Sequence, residues 1–151
     1  MAPAPYLVFD GVTKYFGDLE VVAPSFNLDI ARNEFIVFLG PSGSGKTTLM
    51  RMVGGLETPS SGEIRLRGQA IREPDRDRGM VFQSYSSFPW LTVAQNVAFG
   101  MKYRLDLTPD RKKARLDHYL KLVGLSDFSD AYPNKVSGGM RQRIAIARTL
   151  A

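Results

Sequence analysis

The run Gly40-Pro41-Ser42-Gly43-Ser44-Gly45-Lys46-Thr47-Thr48 carries the clearest chemistry in this chain. It matches the P-loop pattern G-x-x-x-x-G-K-[ST] at every required position. Glycines at 40, 43 and 45 let the backbone turn tightly and approach a phosphate without Cβ clashes. Convergent N–H groups, with the start of the next helix, make an anion cradle. Lys46 is placed to reach the β- and γ-phosphates of a nucleoside triphosphate, and the Thr47 hydroxyl to ligate Mg²⁺. A second candidate lies at Val136-Ser137-Gly138-Gly139-Met140-Arg141-Gln142-Arg143. Ser137 suits an N-cap, and the glycines leave N–H groups uncovered, so this is an anion site made without a lysine.

The elements that must position these residues are legible in outline. The apolar run Glu34–Leu39 reads as the strand before the P-loop, and Thr48–Val53 as the helix after it. Residues 6–30 read as two strands of an edge sheet, because Phe26, Leu28 and Ile30 alternate with polar residues. A strong turn signal spans residues 57–62, and residues 63–67 alternate again as a strand. After the charged loop at 72–78, Met80-Val81-Phe82-Gln83 reads as a short strand ending in a glutamine. Thr92-Val93-Ala94-Gln95 fits a capping box. Thr108-Pro109 begins a helix over 110–123, with Gly124 as its stop.

These two motifs in this order resemble those of the ATP-binding subunits of ABC transporters. The family's signature reads L-S-G-G-Q. Here it is Val136-Ser137-Gly138-Gly139-Met140, and the change to Met140 removes one polar contact to the nucleotide region. Ser-Gly-Gly-Met variants, and the sequence Phe88-Pro89-Trp90-Leu91, are similar to importer subunits of the nitrate/sulfonate/taurine group. The resemblance implies an α/β fold, the P-loop NTPase domain of ABC type. It divides into an ATP-binding core over 1–83, a mixed sheet, and a helical subdomain over 84–151.

It also implies roles. ATP and Mg²⁺ are the expected cofactors, bound by residues 40–48 and, from a second subunit in a head-to-tail dimer, by Ser137, Gly138, Gly139 and Met140. Gln83 resembles the Q-loop glutamine that meets Mg²⁺ and the attacking water. Lys46 and Gln83 are thus the catalytic candidates, and Thr47 and Gln83 the metal candidates. In Val12–Gly17, Phe16 is the candidate adenine-stacking ring, with Tyr15 the alternative. Tyr85, Phe88, Trp90 and Leu91 are candidates for docking membrane-spanning permease subunits, with a periplasmic or extracellular solute-binding protein as an indirect partner. The expected location is peripheral, at the cytoplasmic face of the cell membrane.

The family's Walker B aspartate, catalytic glutamate and switch histidine follow the signature helix, beyond Ala151. The sole histidine, His118, precedes the signature and reads as a surface or packing residue. The fold is therefore read as incomplete at its C-terminus, and this chain alone as poorly stable with negligible ATP hydrolysis. Two rival readings are a truncated nucleotide-binding fragment and a soluble ABC ATPase acting outside transport, in DNA repair or translation.

Composition narrows the field. The chain has 151 residues, 44% of them hydrophobic, and no cysteine. That is a globular composition without disulfides or thiolate metal sites. No apolar stretch approaches the roughly 20 residues of a spanning helix, and no leader-like segment opens the sequence. The net charge of +5 is spread along the chain. Its densest cluster, Arg111-Lys112-Lys113 with Arg115, reads as a solvated helix face, so nucleic acid is not an expected partner.

Overall fold

The computed structural model describes residues 4–84 and 87–151. The chain divides into two compact units, Met1–Arg78 and Gly79–Ala151. In the first, β1 (Leu7–Phe16) and β2 (Leu19–Ile30) form a long antiparallel hairpin. Helix α1 (Lys46–Val53) follows, then β3 (Ser61–Leu66) and the short β4 (Gln69–Ala70). The sheet has four strands in the order β2-β1-β3-β4, antiparallel throughout. Its inner face and α1 enclose Phe9, Val12, Val22, Leu49, Met52 and Ile64. Each such side chain stabilises the fold by roughly 1.5–3 kcal/mol through burial. Phe9 meets Phe26 edge-on, with ring centroids 5.4 Å apart.

The hairpin is bulged where it matters. Its register steps from Lys14↔Val22 to Tyr15↔Glu20, so Val21 has no partner on β1. A bulge bends its strand and re-aims neighbouring side chains. The buried run Val12, Thr13 and Lys14 breaks the alternation a regular ladder would impose.

Two expected strands are corrected. Residues 34–39 and 80–83 join no ladder among the described residues. Phe38 packs on the first core, while Phe35 and Leu39 are 88% and 89% exposed. A run apolar on both faces is the pattern of an interior strand that needs neighbours on each side. Here it is covered on one face only.

The second unit holds α2 (Val93–Phe99), α3 (Pro109–Leu122) and α4 (Gly138–Leu150), with single 3-10 turns at Ser126–Phe128 and Pro133–Lys135. Its core joins Val93, Val97, Met101, Leu120, Leu125 and Ile144. The local signals act as read. Thr92 and Gln95 form a reciprocal capping box, Thr108 caps α3 ahead of Pro109, and Gly124 turns the chain at φ 66°. The second compact unit begins at Gly79. Gly79 packs so closely on α4 that an added Cβ would lie 2.4 Å from Thr149 Cγ2.

Candidate functional site

The first unit holds the phosphate loop. Residues 40–45 make no ladder and lead directly into α1. Gly43 and Gly45 have φ of 83° and 82°, in the left-handed region that L side chains avoid. Gly45 is the N-cap of α1 and provides no side-chain cap. An added Cβ there would lie 2.3 Å from the carbonyl oxygen of Val21. The bulged residue of β2 is thus the seat of the loop's last glycine. Leu49 N–H donates to Gly45 O at 2.9 Å, closing the first helical turn. Lys46 Nζ lies back across the loop, donating to Gly40 O at 2.9 Å, Pro41 O at 2.5 Å and Ser44 Oγ at 3.1 Å. Thr47 is exposed and Thr48 half-buried.

The hairpin end brings an aromatic ring to the same corner. Phe16 pairs with Leu19, two residues from Val21 along β2. Tyr15 and Phe16 are distinguished by their partners. The Tyr15 hydroxyl donates to Glu20 Oε2 at 3.1 Å, and that bond to a carboxylate raises its pKa. Phe16 is exposed, with the ammonium of Lys14 4.7 Å from its ring centre.

The second unit holds the Ser-Gly-Gly turn. Ser137 has extended φ/ψ, and its Oγ accepts the Met140 N–H at 3.2 Å. Gly138 and Gly139 are the first two residues of α4. Val136 is buried, and Met140 packs against the helical core, so the hydrophobic residue at this variant position serves packing. Arg141 reaches back, its Nη1 donating to Pro133 O at 3.3 Å and Val136 O at 2.8 Å. It holds the segment before the cap against the helix that the cap begins.

The same unit carries the aromatic loop. Phe88 lies against Phe99, with centroids 4.6 Å apart, and against Trp90 at 5.6 Å. The Arg148 guanidinium sits 4.9 Å from the Phe88 ring centre, and its burial lowers its pKa. Trp90 is 70% exposed. Leu91 is half-buried and Gln83 exposed; Tyr85 lies outside the described residues.

A fully buried amide holds this loop in shape. Asn96 Oδ1 accepts from Phe88 N–H at 2.8 Å, and Nδ2 faces the carbonyls of Phe88, Leu91 and Thr92 at 3.0–3.1 Å. Sequence reasoning missed Asn96, Lys14 and Arg141. An asparagine inside a capped helix was the available signal for the first, since that residue competes with helical backbone bonds. Nothing local marked Lys14.

The phosphate loop and Phe16 thus lie together in the first unit. Gln83, the Ser-Gly-Gly turn and the aromatic loop lie in the second.

Comparison with known proteins places the chain in a family. The family model described as ABC transporter matches residues 24–151. The chain is 52% identical over 134 residues to the nitrate import ATP-binding protein NrtD of Synechocystis sp., covering 87% of this chain and 49% of that protein. It is 48% identical over 149 residues to the sulfate/thiosulfate import ATP-binding protein CysA of Gloeobacter violaceus, covering 96% of this chain and 42% of the relative. The chain therefore spans about half the length of the curated relatives it matches. Among solved structures, a dimeric post-hydrolysis state of the ATP-binding cassette MJ0796 bound to ADP and Pi superposes with a TM-score of 0.82. It has 34% identity and covers 96% of this chain and 69% of that one.

Proposed function

The chain belongs to the ABC transporter family, and from that premise we propose that it is the nucleotide-holding portion of an ATP-binding subunit coupling ATP binding and hydrolysis to solute import. ATP lies along the corner formed by the phosphate loop and the β1–β2 turn. Phe16 stacks on adenine, residues 40–48 surround the phosphates, and Lys46 exchanges its bonds with Gly40 and Pro41 for phosphate oxygens. The Thr47 hydroxyl and the Gln83 amide are the groups that would hold Mg²⁺, which when bound offsets charge on the β- and γ-phosphates. No cluster of three acidic or histidine side chains occurs among the described residues. Neutral oxygen donors suit this ion, which keeps several waters and relies on substrate phosphates.

A second subunit, head to tail, presents its Ser137-Gly138-Gly139 turn to the γ-phosphate, and Gln83 orients the attacking water. Catalysis is then mostly positioning and charge stabilisation. No helix among the described residues is long and apolar enough to cross a membrane. In the proposed reading, force passes to separate permease subunits. They dock at the loop of Phe88, Trp90 and Leu91, with Tyr85, on the cytoplasmic face of the membrane, and a solute-binding protein delivers the solute from the other side. The 52% identity to a nitrate importer subunit supports a solute of the nitrate/sulfonate/taurine type.

The observation that carries the reading is the phosphate loop itself, with left-handed glycines, a seat on Val21 and Lys46 drawn across its mouth. Uptake of nitrate, a sulfonate and taurine into vesicles holding the full-length subunit and its permease tests it. ATP-dependent uptake of one of these that is lost in Lys46→Ala is the expected result. ATP hydrolysis without any uptake sinks the transport reading. Unchanged ATP binding by Lys46→Ala sinks the nucleotide site.

A further inference from the structure

Lys14 is only 8% exposed, an unusual position for the side chain that most resists burial. Its Nζ donates to Glu57 Oε1 at 2.7 Å and to Thr58 O at 2.8 Å. Both acceptors belong to the turn between α1 and β3, which grips the end of β1 at further points. Ser60 N–H donates to Thr13 O at 2.8 Å, and Tyr15 N–H to Ser60 Oγ at 3.0 Å. The same ammonium lies 4.7 Å from the Phe16 ring centre, within cation–π range.

An apolar side chain would satisfy a buried strand position at lower desolvation cost. A cation held by two oxygens and set against an exposed aromatic ring does something more. Its charge draws the ring's electron density toward the ammonium. The opposite face then meets an electron-rich purine with less repulsion.

We infer that Lys14 is a positioning residue for base recognition: anchored by Glu57 and Thr58, it polarises the Phe16 ring on which the nucleotide's purine stacks. This rests on the reading of Phe16 as the adenine platform. The chain is economical here, because the segment that begins as the phosphate loop continues through α1 into the turn that anchors Lys14. The bulge at Val21 seats the loop two residues from the partner of Phe16. The two ends of the nucleotide are thus held by one continuous stretch and one hairpin.

The test compares the Kd values of the full-length subunit for ATP and for inorganic tripolyphosphate, which lacks the base. The principal variant is Lys14→Met with Glu57→Met, which removes the cation without stranding a carboxylate. Lys14→Gln keeps a hydrogen-bond donor near Glu57 without the charge and serves if the double variant does not fold. ATP binding is expected to weaken about three- to tenfold, with tripolyphosphate binding unchanged and Lys14→Arg largely restoring ATP affinity. Equal losses for both ligands, or an unchanged ATP affinity, overturn the role of Lys14. Phe16→Ala separates the two levels of the argument. If it too leaves ATP affinity unchanged, the adenine platform is wrong. If it weakens ATP and the Lys14 variants do not, Lys14 alone is wrong.

Discussion

The two candidate anion sites of this chain, the phosphate loop and the Ser-Gly-Gly turn, are built by opposite means. The phosphate loop ends at Gly45, a left-handed cap with no side-chain bond. It is shaped by backbone that only glycine adopts readily and seated against the carbonyl of another strand. The Ser-Gly-Gly turn has ordinary extended backbone at Ser137 and a side-chain cap on Met140 N–H. Its preceding segment is held by the Arg141 guanidinium. A loop that wraps a phosphate must bend its backbone inward and accept strained dihedrals. A turn that meets an anion from outside needs only exposed amides at a well-capped helix start. Conformation therefore calls for glycine in the first site, whereas at Gly139 in the second an added Cβ meets nothing within 4 Å.

That contrast can be broken by substitution. The largest effect is expected from Gly45→Ala, where the left-handed φ and the clash with Val21 O act together. It should destabilise the full-length protein by more than about 2 kcal/mol and lower ATP affinity, as read by denaturant unfolding and titration. A mild effect would mean that the loop's seat on β2 is not needed. Ser137→Ala comes next, with an expected loss of about 1 kcal/mol in stability and a larger fall in steady-state ATP hydrolysis than in ATP binding to the isolated subunit. Equal falls would place Ser137 outside the sandwiched site.

Gly139→Ala sharpens the comparison. An added Cβ there meets nothing within 4 Å, and alanine favours the helix by up to about 1 kcal/mol. Stability should hold or rise while hydrolysis falls, the reverse of the expectation that stability and activity fail together. A variant that loses stability would show that the turn, like the loop, depends on a special conformation.

The smallest effect is on pH. The bond from Lys14, aided by the charges of Lys14 and Arg51, holds the Glu57 carboxyl below its usual value despite partial desolvation. The stability it contributes is present above the ordinary glutamate value of about 4.5 and is lost as pH falls through the lower folded-state value. No carboxylate takes part in the Ser137 cap. In methyl NMR of the full-length protein, acid should therefore shift Val12 before Val136. Simultaneous shifts would remove the special role of Glu57.

Much of the site was legible because its determinants are local. Positive φ at Gly43 and Gly45, the caps at Thr92, Thr108 and Ser137, and the stop at Gly124 are each set by a few adjacent residues. The amino-acid sequence by itself determined these points, the P-loop pattern of residues 40–48 and the family resemblance. Tertiary structure decided the rest. It joined Lys14 to Glu57 across 43 positions, bent β2 at Val21, buried Asn96 beneath the aromatic loop and left residues 34–39 covered on one face. Turns and caps are chosen by short-range sterics and hydrogen bonds. Ladders, bulges and buried polar pairs depend on which distant backbone arrives opposite, and no window of neighbouring residues contains that information.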